Sequence, residues 1–462
     1  MSEKSYSRRS FLRLAATGAA ASLLAACQPK VVEKVVKETV EVEKEVTSAA
    51  EQEPAPPGVK EVRILLSPWA VGEIPFDRTA REFNEANEDV EVKIDTTSEG
   101  WDTKVIAQIN EGTLEWSGAG ILTPFLVMQR WVETGMVQPM DDYIAASQQE
   151  GAGQVLSDMI DTIKEDGSYQ GEFYSLAYSF ENITYNWRVD YANEVGWDKA
   201  PETWDEWLEI ALELKSWGAD EQIYPTSFAE SLWTDVGALI CAAVDDTPYT
   251  DEGLIDWESD EMIESLAFYK KLIVEEELTP PHGSDGWLDA YYAGKVASVQ
   301  AQSSRGVWGQ NAFGTDKVST SPIPTREPGG GVGSVYWGNG VAILNKAPYP
   351  QEATDYLIYT MGPQNTGFQK TVMQTGKTPI YHSAYDIIEQ DPQFRVYEWM
   401  LDMVEDVENS IPAPRNNYYT IQNTVFQNHR VTFTEVGSEM TPEECAQLIL
   451  EDSREEIEKQ QL

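Results

Sequence analysis

Basic residues are scarce in this chain of 462 residues: 33 lysines and arginines stand against 78 aspartates and glutamates, a formal net charge of -45. Neutralising nucleic-acid phosphates needs a basic surface, so a nucleic-acid partner is excluded. The acidity reads as solubility or a salty habitat, with a cationic ligand as the other reading. Histidine is rarer still. His282, His382 and His429 form no pair at helical or metal-ligand spacing, which argues against a zinc centre or a catalytic triad. Cysteine is limited to Cys27, Cys241 and Cys445. Cys241 falls in an apolar helical run and reads as a buried free thiol rather than half of a disulfide, although spacing alone does not decide it. The glycine-rich segment Pro328 to Gly333 lacks the Lys-Ser/Thr and the strand-to-helix context of a phosphate loop. No cofactor or metal is expected. The apolar run Leu14 to Ala26 is too short for a stable membrane span.

What the chain has in quantity is the aromatic ring with a polar edge, 15 Trp and 21 Tyr. Most such rings belong to cores, but this number also suits a wet, ring-lined cleft. The length exceeds what one core serves, so two lobes are the minimum.

The N terminus reads as an export signal. Ser7-Arg8-Arg9-Ser10-Phe11-Leu12-Arg13 precedes the short apolar run. The paired arginines resemble a twin-arginine signal, and Leu24-Ala25-Ala26-Cys27 resembles the lipobox of bacterial lipoproteins, which implies cleavage before Cys27 and lipidation of its thiol. From Val31 to Pro57 the chain is charged and valine-rich and closes in a Pro/Ala stretch, a flexible stalk whose ends lie about 30 Å apart. Residues 1–26 are thus expected to be the signal and 27–58 the anchored cysteine and linker.

The body opens with three strand–helix repeats. The strands are Glu61 to Ser67, Val90 to Thr96 and Ala119 to Thr123; helical periods run through Phe76, Ala80 and Phe83, from Trp101 to Asn110, and from Phe125 to Glu133. This alternation predicts an α/β fold with a largely parallel sheet, whose ligands sit beyond the carboxyl ends of the strands. That rule exposes Trp69, Trp101 and the Thr123-Pro124 turn at a rim. From Ser175 to Tyr185 the chain is β-branched, aromatic and small, and beyond Pro201 it turns helical behind a Thr203/Glu206 capping box; this stretch is read as a crossing between lobes and as a hinge. Further on, helices are expected over Asp260 to Glu275 and Gly286 to Lys295, a strand over Val296 to Gln302, a loop over Ser303 to Trp308, a strand over Ser334 to Asn345, a helix over Pro350 to Met361, and a mostly helical remainder.

Several blocks in this order resemble the solute-binding proteins of bacterial ABC importers, the large group similar to maltose-binding protein (family 1 extracellular solute-binding proteins). The carriers are Ile183 to Gly196 with Pro201 to Trp207, Tyr291 to Trp308, Gly338 to Met361, Thr375 to Asp386, and the tail from Ile411 through Thr441-Pro442-Glu443-Glu444. The resemblance implies a two-lobed periplasmic-binding-protein-like fold, each lobe a mostly parallel sheet flanked by helices, with a hinge between them. The lobes are expected at 59–178 plus 321–361 and at 179–320 plus 362–462. It also implies a monomer with no catalysis, and an ABC permease as partner.

Carried over block by block, the cleft should include Glu181 at the crossing, Glu230 with Trp233 at a helix start, Arg305 or Trp308 after a strand, and Tyr418 or Tyr419 in the tail. Trp69, Trp101 and Thr123 join by strand-end position, and Trp337 by its place on the returning strand. The charged sugar clamp of maltose-binding protein's first lobe is not matched, which argues against maltodextrin itself. A sugar or oligosaccharide remains the expected ligand, because flat rings cover sugar C–H faces while carboxylates, Asn and Arg pair with hydroxyls. Two other readings stay open at this point: a polyamine or other cationic ligand in the same fold, and an exported glycoside hydrolase, which needs two carboxylates in an aromatic cleft.

Overall fold

Ser175 to Arg188 form one strand of 14 residues, all of them buried, where the sequence predicts the crossing between lobes. The computed structural model describes residues 58–97, 101–122, 124–229, 231–281, 286–331, 334–403, 407–408, 410 and 418–461. The export signal, the stalk and Cys27 lie outside the described residues, as do Thr123 and Glu230.

Before the crossing come β1 (Lys60–Leu66), α1 (Pro68–Glu73), α2 (Phe76–Ala86), β2 (Val90–Thr96), α3 (Asp102–Glu111), β3 (Gly118–Leu122) and α4 (Pro124–Glu133). β1 lies between parallel neighbours, with Ile64 opposite Ile94 of β2 and opposite Gly118 of β3. A strand flanked on both edges in a helix-covered sheet is buried on both faces, which is why its second half, Ile64 to Leu66, is apolar and buried throughout. α2 buries Phe76, Thr79, Ala80 and Phe83, a stripe at helical spacing. A hairpin of β4 (Ser168–Tyr169) and β5 (Glu172–Phe173), not foreseen in the sequence, leads into the long strand, β6.

Among the elements beyond β6 are, in chain order, α5 (Trp204–Gly218), β7 (Ser227–Phe228), α6 (Val236–Cys241), α7 (Asp260–Lys270), α8 (Trp287–Tyr292), β8 (Ser298–Gln302), α9 (Ser304–Phe313), β9 (Val318–Ser321), β10 (Tyr336–Ile343), α10 (Pro350–Met361), α11 (Thr366–Gln374), α12 (Tyr418–Phe433) and α13 (Pro442–Gln461). At the start of α5, Thr203 Oγ1 accepts from the Glu206 amide at 3.3 Å, while the Glu206 carboxylate accepts from the amide of Glu202, one residue earlier than the usual box.

The strands run in the order β2-β1-β3-β10-β6-β8-β7, with β9 also on β6. β10 is antiparallel to the first half of β6, Trp337 lying opposite Glu181. β8 and β9 are antiparallel to the second half, with Ile183 opposite Gln302 and Asn186 opposite Thr320. One strand therefore serves the sheets of both lobes, and the expected two-lobed α/β architecture is the one the chain adopts. Parallel pairing occurs at β1–β2, β1–β3 and β7–β8. The antiparallel pairs enter where the chain passes between lobes and returns.

One expectation changes. The segment Ser303 to Trp308, expected as a loop, is the start of α9. The missing side chain of Gly306 lets the helix press onto β9: a Cβ there would sit 1.9 Å from Thr320 Oγ1. The segment following residue 362, expected in the second lobe, touches elements on both sides of the crossing, with Ser303 Oγ donating to Gly376 O at 3.1 Å. Ile160 N donates to Ile380 O at 3.1 Å, Met159 bridges Tyr381, and Ser383 bonds Asp158.

Cys241 and Cys445 are buried free thiols; burial pushes the Cys445 thiol up to about 12. Among the described residues no helix is long and apolar enough to cross a membrane.

Candidate functional site

Two helices begin where strands end, and their first turns face each other across the crossing. α1 follows β1 with Pro68 pre-setting its first turn, and carries Trp69 and Glu73, which helical spacing places on one side. α9 follows β8 and carries Ser304, Arg305 and Trp308. Between them lie Glu181 of β6, with Trp337 opposite it on β10, and Asn339, two residues further along β10 and opposite Ser179. Along β10 Trp337 and Asn339 alternate with the buried Tyr336, Gly338 and Gly340, so the period of a strand turns both toward one face. With Gln302 and Lys377 these side chains line a cavity of about 350 Å³, within the range of small-molecule sites.

Charge in the cavity is unevenly matched. The Lys377 side chain is 4 % exposed; its ammonium donates to Glu73, lies 3.7 Å from Glu181 Oε1, and stands 6.0 Å from the Trp69 ring. Arg305 stacks on rings instead, its guanidinium carbon 4.1 Å from the Trp308 ring centre and 5.9 Å from that of Trp287. Its Nε and Nη1 are buried with no hydrogen-bond partner among the described residues. Burial pushes the neighbouring Tyr292 phenol up to about 12, with Arg305 pulling the other way.

Ring faces are held from behind. Trp69, 37 % exposed, has Tyr178 at 6.1 Å, and Tyr178 meets Phe76 edge-on at 5.5 Å. Trp337 has Tyr419 at 6.3 Å, and Tyr419 meets Trp233 at 5.0 Å.

Of the residues singled out in the sequence, the structure brings Trp69, Glu181, Arg305, Trp308 and Trp337 together. It does not bring in Trp233, which corrects the sequence reading. That ring is 1 % exposed, its Nε1 donates to Tyr336 O at 3.4 Å, and it forms part of the core behind Trp337. Trp101 caps α3 and packs edge-on against Trp131 at 5.3 Å in a separate apolar cluster, away from the cavity lining. Tyr418 packs at the margin of the main core, also off the lining, and Tyr419 is buried.

Glu73, Gln302, Ser304, Asn339 and Lys377 are lining residues that the sequence reading passed over. Glu73 was visible one helical turn beyond Trp69. Lys377 lay inside the block Thr375 to Asp386 without standing out. A larger cavity of about 500 Å³ between α12 and α13 is lined by Asp452, Glu455 and Glu456 with threonines, Asn428 and aliphatic residues. None of its lining side chains is aromatic, and Lys459 is already paired with Glu455 and Glu456.

Comparison with known proteins follows the same lines. The fold is similar to that of the sugar-binding protein MalE from Xanthomonas citri, with a TM-score of 0.69 at 14% sequence identity over 86% of this chain and 98% of that one. It is also similar to an ABC substrate-binding protein of Listeria monocytogenes solved with cycloalternan, with a TM-score of 0.68 at 14% identity over 86% and 99%. A third likeness is to an ABC transporter solute-binding protein of Agrobacterium vitis with bound D-mannitol, with a TM-score of 0.64 at 15% identity over 86% and 98%. Residues 78–396 match the family model described as bacterial extracellular solute-binding protein. The chain belongs to the bacterial extracellular solute-binding proteins.

Proposed function

We propose that this protein is the sugar-capturing subunit of an ABC importer, exported by its twin-arginine signal, held at the outer face of the cell membrane through a lipidated Cys27, and delivering its ligand to a permease as a monomer. The observation that carries the ligand class is the cavity itself. Trp69, Trp308 and Trp337 present rings around a small space whose polar groups, Glu181, Gln302, Asn339 and Arg305, include donors and acceptors suited to hydroxyls. Covering ~100 Å² of apolar sugar surface contributes about 2.5 kcal/mol, so two or three such contacts and a few hydrogen bonds reach micromolar affinity, about -8 kcal/mol.

The lobes are taken as 59–178 plus 321–361 with the segment from 362 to 391 added, and 179–320 with the remaining tail. Ligand touching α1 on one side and α9 on the other stabilises their approach, with β6 as the hinge. The polyamine reading is weaker, since Lys377 already sits against both Glu73 and Glu181, the carboxylates a cation would use. Titration calorimetry of the purified protein against mono- and oligosaccharides and polyamines, with product analysis, tests this reading. Saturable sugar binding with the sugar recovered intact is expected; cleavage, or binding of polyamines alone, overturns it.

A further inference from the structure

Resting on that reading of the cavity, we infer that the ligand is an acidic saccharide, whose carboxylate or equivalent anionic substituent docks on Arg305. In a chain with 78 acidic residues and 33 basic ones, a partly buried guanidinium with no carboxylate within 4 Å stands out; Arg81 and Arg395 also lack an ion pair among the described residues, but both are exposed. Arg305 makes no ion pair among the described residues, and two of its nitrogens are buried without a hydrogen-bond partner. What surrounds it is aromatic: Trp308 under its face at 4.1 Å, Trp287 at 5.9 Å, and the Tyr292 phenol, whose hydroxyl the guanidinium attracts.

Rings hold a guanidinium in place through its face and leave its edge for a planar anion. The first turn of α9, which carries Arg305, contains no acidic residue, and Ser303 makes no side-chain cap, so the positive end of that helix is also uncompensated by side chains.

The opposite end of the cavity is arranged the other way. Glu73 and Glu181 share the ammonium of Lys377, which leaves one negative charge spread over two carboxylates. Hydroxyl groups satisfy such oxygens by donating to them. The cavity therefore has a hydroxyl-accepting end at Lys377 and an anion-accepting end at Arg305, with Trp69, Trp308 and Trp337 offering ring faces between. A pyranose bearing a carboxylate matches this polarity, and a wholly neutral sugar leaves the guanidinium edge without a charge partner. The net charge of -45 repels an anion in solution, but that field is screened beyond about 8 Å at physiological ionic strength. It slows approach, whereas contact at Arg305 sets selectivity.

The experiment is calorimetric titration of the mature protein with a uronate disaccharide, its methyl ester and the parent neutral disaccharide, repeated with R305Q. A sulfated disaccharide distinguishes carboxylate from other anionic groups. The uronate is expected to bind roughly ten- to hundredfold more tightly than its ester, and the ratio is expected to fall to about one in R305Q. Melting curves of R305Q confirm that it is folded, and R305K, which keeps the charge, is expected to retain part of the preference. Equal binding of acid and ester by the native protein overturns the inference while leaving the sugar-binding reading intact; tight binding of the sulfated sugar alone replaces carboxylate by sulfate as the anion. If none of these sugars binds, both readings fall.

Discussion

The Lys377 ammonium donates to Glu73, a residue 304 positions earlier in the chain, from a side chain only 4 % exposed. Glu181 stands 3.7 Å from the same nitrogen. Lys377→Met keeps the bulk and removes the charge, leaving two carboxylates facing each other in the cavity. Removing one partner of a fully buried pair costs 3–5 kcal/mol, and because Glu73 is 29 % exposed the expected loss is about 2 kcal/mol. Urea unfolding measures it; an unchanged midpoint would show that the pair contributes nothing to stability.

Trp69 and Trp233 are predicted to separate binding from folding. Trp69→Ala removes a ring that is 37 % exposed at the cavity, so sugar affinity should fall by about 2 kcal/mol, roughly 30-fold, with stability lowered by no more than about 1 kcal/mol. Trp233→Ala opens a void in the core and should cost 3–5 kcal/mol of stability. Calorimetry and denaturation on the two variants decide; the opposite pattern would place Trp233 at the ligand.

Asp235 makes stability depend on pH in a stated direction. It is fully buried beside Tyr269, whose hydroxyl donates to it at 2.9 Å, and Thr234, which donates at 3.1 Å; burial pushes its carboxyl up to about 7, with Arg430 pulling it down. The folded protein holds a proton there that the unfolded chain gives up near 3.8. Its contribution is therefore fully present below about pH 4 and is lost as pH rises through about 7, a change of roughly 4 kcal/mol. Other carboxylates titrate in the same window, so the comparison is with Asp235→Asn, whose stability should fall less steeply between pH 4 and pH 7. Parallel profiles for the two proteins would refute the assignment.

Gly376 holds Lys377 in position. Its φ is +82°, and a Cβ would stand 2.5 Å from Ser304 Cα, at the first turn of the helix that carries Arg305. Gly376→Ala is expected to cost about 2 kcal/mol or more, from the left-handed backbone and the overlap together, and to weaken sugar binding because both cavity ends shift. Melting temperature and affinity should drop together.

The parts of this molecule that could be read in the sequence are those where burial imposes a period. β2 and α10 occupy the residues expected, since alternation along Val90–Thr96 and the helical stripe of Pro350–Met361 each have one solution. The start of α9 differs from the expected loop because the packing of Gly306 against Thr320 is a tertiary contact that no local pattern announces. Trp233 was misplaced for a different reason. A ring at a helix start looks the same in sequence whether it faces a cavity or supports the ring that does, and only the packing of Tyr419 between Trp233 and Trp337 tells them apart. Glu73 and Lys377 come from opposite ends of the chain, and no local pattern joins them.

Because β6 lends its backbone to the sheets on either side, neither half can melt without stripping amide partners from the other. Scanning calorimetry should therefore record one heat-absorption peak for the body of the protein, where two halves joined by a slack tether would give two. The same continuity confines the motion between the halves to bending and twisting along a paired ribbon.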